Sequence, residues 1–144
     1  MELIRIAGRP VVSIGPSATV QDVCALMVSS KVGALVVLDG GALVGIVSER
    51  DIVRRVVATG RDTATTRVQD IMTTAVETVT EEATVHAVLE RMHKGAFRHV
   101  PLVDASGQVL GMLSVRDLLR ERIHELDMKN VDLMNFISVD GPGG

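Results

Sequence analysis

The chain has 144 residues, 47% hydrophobic and 23% charged, a globular composition long enough to bury a core and too apolar for disorder. Its formal net charge of −3 offers no global attraction to phosphate backbones or anionic lipid, so neither nucleic acid nor a membrane is expected as a partner. One cysteine, Cys24, excludes an internal disulfide framework, no apolar run approaches the roughly 18 residues of a membrane span, and the N-terminus has no signal-peptide layout; a soluble, cytoplasmic protein is expected.

Residues 10–14 read as a short strand. Thr19-Val20-Gln21-Asp22 has a capping-box pattern, and Val20, Val23, Cys24, Met27 and Val28 follow at helical spacing. The apolar run 34–38, the Gly40-Gly41 turn and the run 43–47 predict a hairpin, and a second helix is predicted from Glu49 to about Thr59. Residues 60–66 are polar and linker-like, and 68–72 predict a short helix. The series then recurs: a strand at 75–79, a helix from Val85 through Val88, Leu89 and Met92, a hairpin of 100–103 and 109–113, and a helix from Val115 onward.

The recurrence is also residue by residue. Thr19-Val20 returns as Thr84-Val85, a shift of 65, which also carries Val23 onto Val88, Met27 onto Met92 and Asp39 onto Asp104. Past the hairpin turn the shift is 66: Gly45 onto Gly111, Ser48 onto Ser114, Arg50 onto Arg116, Asp51 onto Asp117. The extra residue falls in a loop, where insertion is tolerated. The chain therefore divides into a lead-in (1–9), a first repeat (10–59), a linker with a short helix (60–74), a second repeat (75–124), and a helical extension with a frayed tail (125–144). One copy of about 50 residues is a marginal fold. The expected class is α/β, with two β-α-β-β-α repeats packed in pseudo-two-fold symmetry. Leu118, Leu119, Ile123, Leu126 and Met134 continue an apolar stripe past the repeat and suggest a self-association face.

The most informative stretches are Gly45-Ile46-Val47-Ser48-Glu49-Arg50-Asp51 and Gly111-Met112-Leu113-Ser114-Val115-Arg116-Asp117. In both, a strand hands over to a helix at the serine, so N–H groups, a hydroxyl and a carboxylate gather at one helix start. The N–H groups attract phosphate, the carboxylate suits a neutral vicinal diol such as ribose, and the arginine supplies a countercharge. Glycine lets a ligand approach the strand closely. The plainer reading is a capping box that satisfies the helix's own donors. Against it, capping boxes favour Glu or Gln where both copies have Asp, and capping has no need of the repeated Arg. Both readings stay open on these residues alone.

The tandem β-α-β-β-α pattern with its repeated Gly-x-x-Ser-x-x-Asp, together with Val32-Gly33-Ala34-Leu35-Val36-Val37 and Arg98-His99-Val100-Pro101-Leu102-Val103-Asp104, resembles a pair of CBS (cystathionine β-synthase) domains, the Bateman module of small stand-alone bacterial proteins. The resemblance runs from about Val11 to Ile123. It implies a non-enzymatic sensor that binds an adenine nucleotide (AMP, ADP, ATP or NAD) or S-adenosylmethionine in two clefts between the repeats. It further implies Asp51 and Asp117 on the ribose, Ser48 and Ser114 near phosphate or ribose, and Arg98-His99 facing the phosphates. Backbone at Ala34 and around His99 to Pro101, with Val12, would line the base pocket, and Arg50 and Arg116 complete the expected ligand-binding set. Family members often pair into disc-shaped dimers, so a homodimer is expected. The alternative is an adaptor with vacant clefts that recruits a protein partner through its C-terminal helix.

Other signals are weaker. His86, Glu90 and His93 could share a helix face for a metal, but an exposed polar face fits the periodicity, and no metal is expected. Cys24 reads as a small buried hydrophobe. Arg50, Arg54, Arg55 and Arg61 read as a solvated basic face with only Arg50 at a motif position. No P-loop, no dinucleotide fingerprint and no nucleophile–base–orienter set is present, so no catalysis is expected.

Overall fold

The computed structural model describes residues 2–7 and 10–140, with side-chain surroundings through residue 130; the expected frayed tail at Gly141–Gly144 and the side chain of Met134 lie outside this range. The elements alternate as the repeat requires: α1 (Glu2–Ala7), β1 (Ser13–Ile14), α2 (Val20–Ser30), β2 (Ala34–Asp39), β3 (Ala42–Ser48), α3 (Glu49–Ile52), α4 (Val85–Gly95), β4 (His99–Val103), β5 (Val109–Ser114) and α5 (Val115–Asp140).

In the first repeat, β1 runs parallel to β2, and β2 pairs antiparallel with β3 in the register Ala34↔Ser48 to Asp39↔Ala42, with a bulge between Val37 and Leu38. The second repeat reproduces the hairpin, His99↔Ser114 to Val103↔Val109, with its bulge at the equivalent Leu102/Val103 step. Its first strand is not formed as expected from 75–79; only Val79 pairs, as a single parallel bridge to Leu102. Pro101 explains why this edge still closes: its carbonyl accepts from Val79, whose own carbonyl accepts from Val103, so the missing Pro N–H is never asked for.

Thr19 caps α2 with a reciprocal Asp22 bond, and Thr84 caps α4; each helix ends on a residue in the left-handed conformation, Lys31 (φ 56°) and Ala96 (φ 55°). The predicted helix 49–59 departs from expectation. Its α-turn covers four residues and then widens into a π turn at Val53–Val57, with Ala58 N–H reaching back to the Val53 carbonyl. Residues 68–70 form a 3₁₀ turn rather than a full helix.

Two apolar cores result, one per repeat, and each is completed by a segment that precedes the other repeat. Val68 and Ile71, just before the second repeat, are buried in the first core with Val20, Val23, Leu35 and Val47. Leu3 of α1, just before the first repeat, is buried in the second with Val85, Val88, Leu102 and Leu113. The motif glycines make room for this exchange. A Cβ on Gly45 would stand 2.5 Å from Met72 Sδ and 3.1 Å from the Thr73 carbonyl, and one on Gly111 2.7 Å from Ala7 Cβ. The close approach expected of a ligand at Gly45 is thus made by the protein's own linker, which pairs Thr73 with Ile46 by two backbone bonds.

Leu3 is 1% exposed and its neighbour Ile4 is 46% exposed. Leu3→Ala is therefore expected to cost about 2–4 kcal/mol in denaturant unfolding, whereas Ile4→Ala stays within about 0.5 kcal/mol. Equal, small effects would mean that α1 does not complete the second core.

Candidate functional site

Ser48 ends β3 and caps α3. Its Oγ accepts the Asp51 N–H at 3.2 Å, and the Asp51 Oδ2 accepts from the Ser48 N–H at 2.9 Å and from its hydroxyl at 3.1 Å. This is a closed capping box, so aspartate at the third position does not argue against capping, contrary to the sequence reading. What the box leaves over is the second oxygen. Asp51 Oδ1 accepts from the Thr73 hydroxyl at 3.4 Å and faces Arg55 Nη1 at 3.9 Å, half-buried at the base of an open cleft.

That cleft, of about 640 Å³, lies between the repeats. One wall is Ser48, Glu49, Arg50, Asp51, Arg54 and Arg55; the opposite wall is the end of α4 and the start of β4, with Phe97, Arg98 and His99; Thr73 of the linker, followed by Ala75 and Val76, closes a third side. Arg50 crosses from the first wall to the second, donating from Nη1 to the Ala96 carbonyl at 3.1 Å, a group freed by the left-handed end of α4. Behind the Arg98–His99 wall is a wider groove of about 1290 Å³ between α4 and α5, reached by Ser114, Arg116, Leu119 and Ile123 and sharing Arg50, Arg98 and His99 with the first.

Asp117 stands at the start of α5. Its N–H donates to Ser114 Oγ at 3.1 Å, and its carboxylate faces Arg120 at 4.0 Å. No return bond from Ser114 closes a box there among the described residues.

His99 sits where the two halves meet, mostly buried. Burial is the main reason its imidazole pKa is pulled below the ordinary 6.5; the carboxylates of Glu49 and Asp117 pull the other way, and Arg98 adds to the depression. The ring and the Glu49 carboxylate converge over Gly33, where a Cβ would lie 3.6 Å from His99 Cε1 and 3.4 Å from Glu49 Oε1.

Of the residues expected to bind a ligand, Ser48, Arg50, Asp51, Arg98 and His99 come together on the 640 Å³ cleft, and Ser114 and Arg116 line the wider groove. Val12, Ala34, Pro101 and Asp117 line neither. Val12 packs on the first core, while Ala34 and Pro101 are buried within β2 and β4; Gly33, Ala75 and Val76 do line the 640 Å³ cleft. Arg54 and Arg55, read from sequence as a solvated face, prove to be cleft residues, as their three- and four-residue offsets from Asp51 could have indicated. Thr73 was missed because it belongs to the linker. Its signal is a further stretch of the repeat, Val68-Ile71-Met72 on Leu3-Ile6-Ala7 at the same shift of 65.

Elsewhere, Cys24 is half-buried with its thiol pushed up by burial, in keeping with a packing role. His86 Nε2 pairs with Glu90 Oε1 at 3.4 Å on an exposed face, while His93 turns to the wider groove. Among the described residues no helix is long and apolar enough to cross a membrane.

The model of the CBS domain matches the chain twice, at residues 4–58 and 68–124, and the chain belongs to the CBS-domain family as a tandem pair. Among curated relatives, the mitochondrial CBS domain-containing protein CBSX3 of Arabidopsis thaliana is 39% identical over 112 residues, 74% of this chain; the chain spans only 54% of that relative's length. A CBS-domain protein from Burkholderia ambifaria MC40-6 superposes with a TM-score of 0.81 at 33% identity, covering 85% of this chain and 93% of that one. The CBS domain protein PAE2072 from Pyrobaculum aerophilum, solved in complex with AMP, superposes with a TM-score of 0.78 at 32% identity, covering 90% and 99%. The tandem CBS pair is thus shown, and the fold is the α/β tandem repeat expected.

Because the folded His99 takes up a proton less readily than the unfolded chain, its contribution to stability is present above about pH 6.5 and is lost as pH falls through that value toward the lower folded pKa. The melting temperature is expected to fall between about pH 7.5 and 5.5, and His99→Gln to flatten part of that fall. An unaltered slope in the variant would show that the imidazole does not meet the burial described.

Proposed function

We propose that this CBS pair is a non-catalytic sensor that binds an adenosine-containing ligand, with AMP or ATP ahead of NAD, in the cleft at Asp51. The observation that carries the reading is the Oδ1 of Asp51, which meets the Thr73 hydroxyl at a long 3.4 Å and Arg55 at 3.9 Å and faces the cleft. It is the one oxygen the capping box leaves over, and it sits at the base of a cleft of about 640 Å³, within the range of small-molecule sites. A carboxylate oxygen there accepts hydrogen bonds from ribose hydroxyls. Val76 and the edge of Phe97 offer apolar surface for a base, and the arginines neutralise phosphate. The AMP complex of PAE2072, at 32% identity, supports the same ligand class here.

Signalling follows from the geometry of the walls. The cleft is formed by both repeats, so a ligand that binds one spacing of them better than another shifts their equilibrium. Arg50, which ties the first repeat to the end of α4, is the element placed to feel a ligand's charge. The exposed apolar residues of α5, Leu119, Ile123 and Leu126, are 45%, 59% and 46% exposed and support self-association into a homodimer as the surface that reads the change.

Titration calorimetry with AMP, ATP and NAD tests the binding. Asp51→Ala is expected to weaken adenosine and AMP by about tenfold and to leave free adenine nearly unchanged. The variant keeps the Ser48 cap but loses the return bonds of the capping box, at about 1 kcal/mol, which a melting curve registers separately. No binding of any adenosine compound at about 1 mM, some 4 kcal/mol of affinity, would favour the adaptor reading instead. The chain has no Trp or Tyr, so a purine carried through purification stands out near 260 nm against almost no protein absorbance.

A further inference from the structure

Helix α5 changes character along its length. At its start Leu118 is buried in the second core with Val115 packed against it, and α1 covers one flank, where Arg5 pairs with Glu121. Another flank is bare: Leu119, Ile123 and Leu126 are exposed, and the first two line the groove against α4. From Leu126 to Asn130 every side chain is exposed, yet the helix continues to Asp140. A helical stretch of about 15 residues with no packed face is marginal in water by itself.

The spacing of the bare flank identifies what covers it. Leu119, Ile123, Leu126 and Asn130 follow one another at steps of four, three and four, and the sequence carries the series on to Leu133 and Ile137. In a heptad, leucine then holds each d position, isoleucine holds the a positions on either side, and Asn130 holds the a position between them. Isoleucine at a with leucine at d favours two parallel strands, and a single asparagine at a fixes register and strand number. In a parallel, in-register pair of identical helices that asparagine meets its own counterpart, amide to amide.

The charges beside the seam agree. In a parallel pair Arg122 faces Asp127 of the second copy, and Arg122 keeps donors beyond the one given to Glu125. An antiparallel pair would instead bring Arg122 toward Lys129, a second cation. The first repeat offers no such seam. At the shift of 66, Leu119 and Ile123 correspond to Val53 and Val57, which are also exposed, but there the helix widens into a π turn and stops before Gly60 (φ 73°).

Resting on the self-association reading above, we infer that α5 pairs with α5 of a second copy as a parallel two-stranded coiled coil along the series that begins at Leu119, with Asn130 against its counterpart setting the register. The seam begins two residues after Asp117, so the helix that carries this carboxylate is itself held by the second copy.

Sedimentation equilibrium on the full chain measures the association, and one engineered cysteine reads its direction. A dimer is expected. Leu126→Glu should raise its dissociation constant at least about thirtyfold, whereas Val53→Glu with Val57→Glu, which alters the equally exposed positions of the first repeat, should leave it unchanged. Asn130→Ile, which removes the polar residue from the seam, should tighten the dimer by about tenfold. In a Cys24→Ser background, Ile123→Cys should oxidise to a covalent dimer, because the two side chains meet across a parallel, in-register seam. A dimer untouched by Leu126→Glu, a dimer lost equally in the Val53 and Val57 variant, no tightening in Asn130→Ile, or no cross-link at position 123 would overturn the coiled coil while leaving self-association intact. A monomer at every concentration would remove the underlying reading and the inference with it.

Discussion

Each repeat is too small to close its own core, and the molecule answers this by exchange. Leu3 fills the second core from ahead of the first repeat, and Val68 with Ile71 fills the first from ahead of the second. The hydrophobic burial that stabilises either half is therefore available only when both are present and correctly placed, which couples their folding and their spacing. Everything at the site depends on that spacing, because the cleft has one wall from each half and a third from the linker that performs the exchange. Thr73 joins the two roles in one residue: its backbone pairs with Ile46 on the edge of β3, and its hydroxyl donates to Asp51.

The same carboxylate shows how a structural device and a binding group coexist. One oxygen of Asp51 satisfies the donors of Ser48, and the other remains directed at the cleft. An aspartate is short enough to close the box without turning away from the space beside it. The two interpretations of the Ser-x-x-Asp pattern are thus not exclusive: capping positions the carboxylate that a ligand would meet. At Asp117 the box is not closed, and the charges around it differ.

That difference makes the internal repeat useful. Two halves with one fold and one motif differ in the side chains brought to the cleft from outside the motif: Arg98-His99 against Gly33-Ala34, Arg55 against Glu121. Burial at the junction of the halves lowers the pKa of His99, so the imidazole adds less positive charge to the Asp51 cleft than its arginines do.

The duplication, the order of elements, both hairpins and the position of each Ser-x-x-Asp could be read from the sequence, because they rest on local spacing, capping and turn chemistry that a repeat states twice. Asp51, Ser48 and Arg50 could be singled out for the same reason, whereas Arg98 and His99, which have Gly33 and Ala34 as counterparts, are singled out by the family resemblance. Tertiary structure alone decided what crosses between the halves. It put Met72 rather than a ligand against Gly45, packed Val12 on the first core and buried Ala34 and Pro101 away from the cleft, and reduced the strand at 75–79 to one bridge. It also brought Thr73 to Asp51. Such contacts join residues far apart in the chain and depend on which surfaces are left unburied once both cores are filled, and no local pattern of residues encodes that.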